Sequence, residues 1–247
     1  MTSELVKTAK QGFVWTWLPG AIEPVVTGRI DLVDGIYRFT YGRSYLERGD
    51  AISLFGPELP LRKGVHIPEA PHSIAGCLRD AAPDNWGRRV ILTHVTGRRD
   101  PDMDTADIDE LSYMLLSGSD RTGALDFQTS ATTYVPRLSQ EATLDALMEG
   151  ARLIEEGTPL PPDLDEAMNH GTSIGGARPK AQLTDGPRKL IAKFSSSRDP
   201  HKIVGAELMG LRLAARVGIR VAQAELVSVR DKDVLLVERF DRDAIDK

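Results

Sequence analysis

TSIGGARPKAQLTDGPRKLIAKF, residues 172–194, decides how the chain is read, because it sets two short strands around a turn and places a glycine pair ahead of them. In Ser173-Ile174-Gly175-Gly176-Ala177-Arg178-Pro179-Lys180 the adjacent glycines remove side chains where a backbone could approach phosphate oxygens, while Ser173, Arg178 and Lys180 supply a hydroxyl and positive charge. Leu183-Thr184-Asp185-Gly186 reads as the turn. Leu190-Ile191-Ala192-Lys193-Phe194 is then an apolar strand with one lysine in its pattern. An unpaired buried ammonium is costly, so Lys193 calls for an anionic partner, and a nucleotide phosphate would serve. The glycine pair matches neither G-x-x-x-x-G-K-[ST] nor G-x-G-x-x-G, and taken alone it is no more than a turn.

Working outward, residues 201–217 form a helical pattern containing Glu207, and VLLVERF, residues 234–240, is a strand that runs into polar chain. Strand, lysine strand, glutamate helix and second strand is the order of a kinase small lobe. There the lysine holds phosphates and the last strand leads to the adenine hinge.

These segments resemble the HipA family of toxin serine/threonine kinases, from bacterial type II toxin-antitoxin modules. The matching residues are Ser173 through Lys180, Ala192-Lys193-Phe194, the Glu207 helix ending at Gly218-Ile219, and Val237-Glu238-Arg239-Phe240-Asp241-Arg242, the last being the most specific. Two upstream segments join them: Leu78-Arg79-Asp80 to Pro83-Asp84-Asn85-Trp86-Gly87, and the glycine-bounded loop from Gly118 to Leu125. The resemblance implies an α+β chain, with a β-rich, barrel-like N-terminal domain with helices over residues 1–130 and a kinase small lobe over residues 131–247. It implies transfer of the ATP γ-phosphoryl group to a protein serine or threonine, with ATP and Mg2+ as cofactors. Gly175, Gly176, Ala177 and Lys180 would form the ATP loop, Lys193 would hold phosphates with Glu207 as its partner, and the Glu238 and Phe240 backbones would meet adenine. Ser173 matches the family's autophosphorylated serine, whose modification ejects the loop. Family substrates include aminoacyl-tRNA synthetases, and the partner is a helix-turn-helix, HipB-like antitoxin, so operator DNA would be reached only through it.

Phosphoryl transfer also needs a carboxylate to orient the hydroxyl, with an asparagine and an aspartate for magnesium, in a large lobe beyond the hinge. The sequence ends at Lys247, and none of Asp241, Asp243 and Asp246 is assigned to those roles. The expectation is a chain without catalytic or metal-binding residues of its own, either a fragment or a natural truncation, inactive as a kinase and binding nucleotide weakly. An open lobe face would be an apolar patch prone to association. The rival reading is a non-catalytic module that docks on an antitoxin or a separate catalytic subunit. A third is a β-rich interaction domain whose glycine turn binds nothing.

The 247 residues, 41% hydrophobic and 27% charged, suffice for one large core or two smaller ones. A net charge of -5 argues against a basic nucleic-acid surface over the whole chain. Cys77 stands alone, which excludes an internal disulfide and a cysteine zinc site. The first residues lack a signal-peptide core and there is no run of about 18 apolar residues to span a bilayer, so no membrane partner and a cytoplasmic location are expected.

Residues 12–18 and 24–32 read as strands, and Asp34-Gly35 as the turn of a hairpin whose returning strand puts Tyr37, Phe39 and Tyr41 on one core-facing side. Ile52, Leu54 and residues 59–61 suggest further short strands. Helical spacing begins at Ser73 and resumes over residues 86–95 after Pro83-Asp84-Asn85. Asp100, Asp102 and Asp104 fail as a calcium loop, because Thr105 and Leu111 stand where glycine and glutamate are needed. Asp107 is the expected cap of a helix with Glu110 three residues on, and Leu111, Met114 and Leu115 face the core. One helix is expected over residues 139–156 and a short one from Asp163 to near Gly171. His66, His72, His94, His170 and His201 form no H-E-x-x-H, and each reads as a surface or capping residue. Arg88, Arg89, Arg98 and Arg99 read as a solvated helix face, and no G-x-S-x-G is present.

Overall fold

The computed structural model describes residues 9–96, 105, 108–138, 142–170, 173–196 and 199–242. Asp100, Asp102, Asp104, Asp107, Arg98, Arg99, Asp243 and Asp246 lie outside them. Among the described residues there are two antiparallel sheets and seven helices, divided between two compact units. No described helix is long and apolar enough to cross a membrane.

The first unit takes the described residues of Met1–Pro83 and Asp104–Arg137. It opens with β1 (Gln11–Thr16), β2 (Val25–Val33) and β3 (Ile36–Tyr41). Asp34 and Gly35 have φ of 52° and 77°, the left-handed pair that a two-residue hairpin demands, so the reversal falls where the sequence puts it. Then come α1 (Arg43–Leu46), β4 (Val65–His66) and α2 (Gly76–Arg79). The next helix, α3 (Asn85–Thr96), belongs to the other unit, after which α4 (Glu110–Leu116) and β5 (Leu125–Gln128) complete this one. Strand order is β4-β3-β2-β1-β5. This is an open sheet rather than the barrel-like closure expected, since β4 spans only two residues and pairs with Phe39 and Thr40 alone. In place of the strands expected at Ile52, Leu54 and residues 59–61 there is a single bridge, Phe55 to Leu59.

The core of this unit follows from period two. Tyr37, Phe39 and Tyr41 are buried beside Val14 and Ile30, and Leu111, Met114, Leu78 and Phe127 close over them. At Gly28 a Cβ would lie 2.4 Å from the Thr40 carbonyl, so only glycine lets the chain cross there. The cap of α4 is Asp109, which accepts from the Ser112 N–H at 3.0 Å, two residues beyond the expected Asp107. His66 is buried among Phe39 and Tyr41 rather than exposed. Asp126, fully buried, accepts from Arg121 (3.0 Å), Arg137 (2.8 Å), Ser119 (2.7 Å) and Gln128 (3.0 Å). Burial pushes the Arg121 guanidinium down to about 10 and Asp126 opposes that, so the pair stays ionised at neutral pH.

The second unit takes the described residues of Asp84–Met103 and Leu138–Lys247. Beside α3 it holds α5 (Leu144–Glu156) and α6 (Pro162–His170), then β6 (Lys180–Asp185), β7 (Arg188–Phe194), α7 (Ile203–Arg216), β8 (Ala224–Val229) and β9 (Lys232–Glu238). Thr143 caps α5 by accepting from the Ala146 N–H at 3.2 Å, so the helix starts later than residue 139. It stops at Gly157, whose φ of 72° is the left-handed cap. The sheet runs β6-β7-β9-β8, every neighbour antiparallel. Leu183 and Thr184 lie within β6, and the reversal comes one step later than expected, around Gly186. Strand β8 leaves no turn signal in the sequence because its hairpin bends at Arg230 and Asp231, with φ of 47° and 60°, instead of at glycine. Leu190, Ala192 and Phe194 turn one face of β7 into the core against Leu147, Ala151, Ile154, Met168 and Trp86. Lys193, between them in a period-two strand, faces the other way.

Helix α7 buries only Val204 and Leu208, which pack on Leu235 of β9. A second stripe three and four apart, Ala206, Met209, Gly210 and Leu213 with the C-cap Val217, is exposed.

Candidate functional site

On the lysine face of the second sheet the structure brings together Lys180, Lys193 and Glu207, whereas Glu238 pairs with Leu190 on the strand's core-facing side. Lys180 and Lys193 sit directly opposite each other in the β6–β7 register. Two like charges across a strand pair repel, so each requires its own counter-charge. Lys193 has it in Glu207, whose carboxylate receives the Nζ directly from α7. Glu207 can do this because α7 docks through Val204 and Leu208, which brings the intervening turn over β7 and β9.

Lys180 is held differently. It is 4% exposed, and its Nζ donates to the Gly176 carbonyl at 2.6 Å with Asp84 Oδ2 at 3.6 Å. Burial lowers its pKa and Asp84 works against that. Gly176 has φ of 121°, which favours glycine, and a Cβ there would lie 2.5 Å from Lys180 Nζ and displace it from this position. Gly175 has open space where a Cβ would stand. Ala177 offers its carbonyl to Arg89 Nη2 at 3.2 Å, and Ser173 is buried at the start of the loop. Arg178 reaches forward to Asp199, at 2.6 and 2.5 Å to its two oxygens. Burial would raise the Asp199 carboxyl, but Arg178 and the Ser196 N–H outweigh it and the net shift is downward.

At the far strand, the Glu238 N–H donates to the Gln223 carbonyl at 2.8 Å and the Arg239 N–H to the Lys189 carbonyl at 2.9 Å. Phe240 follows at the strand's end and is 89% exposed. Arg239 itself is buried and bound to Asp241 at 2.9 and 3.0 Å. Among the described residues no group of three histidine, cysteine, aspartate or glutamate side chains could hold a metal ion. A cavity of about 150 Å³ is lined by Phe194, Pro179, Met148, Arg152 and Lys232. Phe194 places it on the reverse face of the sheet from Lys193.

Sequence reasoning missed Asp84, Trp86 and Arg89. Arg89 is not simply part of a solvated face: besides Ala177 it lies 5.2 Å over the Trp86 ring. Trp86 Nε1 in turn donates to the Lys180 carbonyl at 2.8 Å. The signal was there as Asp84-Asn85-Trp86-Gly87-Arg88-Arg89, a capping residue followed by an aromatic and two cations, but its target is about ninety residues away.

A HipA N-terminal domain matches residues 21–128 and a HipA-like C-terminal domain matches residues 172–247. The chain belongs to the HipA family. Among solved structures it is similar to HipA of Shewanella oneidensis MR-1, in a complex of HipA, HipB and operator DNA, with a TM-score of 0.52 and 20% identity over 93% of this chain. At that identity the likeness concerns the fold. The chain spans 51% of that HipA's length. No curated protein matches it. The HipA-like C-terminal match begins at Thr172, so the glycine loop, Lys193, Glu207 and the Glu238 strand all fall inside one family segment.

Proposed function

We propose that the second unit is the nucleotide-binding small lobe of a HipA toxin kinase, and that the whole protein transfers the ATP γ-phosphoryl group to a protein serine or threonine. The observation that carries this is the Lys193–Glu207 pair, a strand lysine met by a helix glutamate behind a glycine loop. The residues fit a triphosphate: Lys193 offers an ammonium on the open sheet face, and Gly175 and Gly176 clear side chains from the backbone of the loop that leads to its register partner Lys180. ATP bound with magnesium would supply the transferable phosphoryl group. Lys193 would hold a phosphate oxygen while Glu207 fixes its direction, and the Glu238 carbonyl and Phe240 N–H would accept from and donate to the adenine edge. Phosphate on Ser173 would add about two negative charges to a buried site and so expel the loop. A HipB-like antitoxin is the proposed partner, on the strength of the Shewanella complex, and aminoacyl-tRNA synthetases are proposed substrates through the family.

An acyl-phosphate derivative of ATP, which passes its label to an amine lying at the phosphates, tests the site. The expected result is label on Lys193, reduced by competing ATP. Labelling that spares Lys193, or that ATP leaves unchanged, would refute the assignment.

A further inference from the structure

We infer that helix α3 positions the nucleotide loop, through a clamp made by Asp84, Trp86 and Arg89 acting with Lys180, and that Lys180 is therefore a positioning residue and not a phosphate ligand. This deepens the reading of the second unit as a nucleotide site and rests on it.

The clamp has three points. Arg89 Nη2 holds the Ala177 carbonyl at 3.2 Å, Lys180 Nζ holds the Gly176 carbonyl at 2.6 Å, and Trp86 Nε1 holds the Lys180 carbonyl at 2.8 Å. Asp84 organises all three. Its Oδ1 accepts from the N–H groups of Trp86 (3.0 Å) and Gly87 (3.2 Å), which caps α3 and sets the direction of Trp86 and Arg89. Its Oδ2 faces Lys180 Nζ at 3.6 Å and supplies the counter-charge that a 4% exposed ammonium needs. With its charge turned toward Asp84 and its proton on Gly176, Lys180 is committed inside the loop. Gly176 makes this possible, since any side chain there would collide with the Nζ.

The consequence is backbone orientation. In a planar trans peptide the N–H points opposite to the preceding carbonyl. Holding the Gly176 and Ala177 carbonyls toward the clamp therefore turns the N–H groups of Ala177 and Arg178 the other way, as two successive donors. Neighbouring N–H groups aimed together form an anion-binding concavity. The Arg178 side chain, tied to Asp199, steadies the same stretch from its other end.

Hydrogen exchange of the 247-residue chain without nucleotide tests the clamp, with Arg89→Ala, Arg89→Lys and Asp84→Asn compared with the unaltered protein. Arg89→Ala removes a partly buried surface side chain, and Asp84→Asn keeps a capping oxygen, so neither depends on rebuilding the core. Both should speed exchange of the Phe194 amide, which donates to the Pro179 carbonyl at the end of the loop, by about tenfold, the effect of losing a charge-assisted hydrogen bond, while α5 exchanges as before. Arg89→Lys should recover part of the protection. Unchanged Phe194 exchange in both variants would overturn the clamp, as would loosening that extends equally to α5. Magnesium ATP titrated into the same proteins separates the two readings. Faster Phe194 exchange with no ATP binding even in the unaltered chain would leave the clamp standing and remove the nucleotide. Acyl-phosphate ATP labelling Lys180 as readily as Lys193 would contradict the positioning role.

Discussion

Lys193 stands in an apolar strand with the Glu207 carboxylate as its partner, whereas Lys180, its neighbour across the register, is met by a carbonyl and by Asp84. Only the first of these fates was legible in the sequence. A lone lysine among Leu190, Ile191, Ala192 and Phe194 announces an anionic partner by itself, but nothing local tells which lysine turns outward. His94 shows the same limit. It reads as a surface residue, yet its Nδ1 lies 2.6 Å from Asp165 Oδ2, joining α3 to α6. The hydrogen bond to Asp165 raises the His94 pKa above its ordinary 6.5. A histidine whose folded pKa is raised adds stability that is fully present below 6.5 and is lost as pH climbs through the raised value. The difference in melting temperature between the unaltered protein and His94→Gln should accordingly be largest in mildly acidic buffer and shrink toward alkaline pH. A difference that grows with pH would show that the imidazole is not held as the cation.

At the scale of elements, patterns of period two and period 3.6 marked β1, β2, β3, β7 and α7, since each has one buried face that its own residues declare. Elements defined by what they meet were not marked. Strand β8 reverses at Arg230 and Asp231, with no glycine to announce the turn; α4 itself was marked with its core face, and only its cap, Asp109, was not. Helix α7 has the opposite character: its pattern promises more burial than the described residues give it. Met209, Leu213 and Val217 are 60%, 56% and 76% exposed on one stripe. Burying an exposed leucine gains about 1.5–3 kcal/mol, so this stripe should drive self-association. Sedimentation of the chain should show a concentration-dependent dimer or larger species, returned to monomer by Leu213→Glu. A strictly monomeric chain, or association indifferent to Leu213→Glu, would place the sticky surface elsewhere.

For the whole molecule, membership of the HipA family rests on two matched segments, and the glycine loop, Lys193, Glu207 and the Glu238 strand of the proposed lobe fall in the second of them. The order of its parts could be read because strand, lysine, glutamate helix and strand are consecutive in the chain. The loop's support could not, because α3 is separated from it by all of α4, β5, α5 and α6 and joins it only in the folded unit. Calorimetric titration of the 247-residue chain with magnesium ATP, beside Lys193→Ala of equal melting temperature, asks directly whether this unit is a nucleotide site. Lys193 is partly exposed, so the variant should fold with a stability change within about 1 kcal/mol. Saturable binding to the unaltered chain that Lys193→Ala abolishes or weakens at least tenfold is the expected result, in line with loss of a charged contact to phosphate. Absence of binding to the unaltered chain, or equal binding to both proteins, would contradict it.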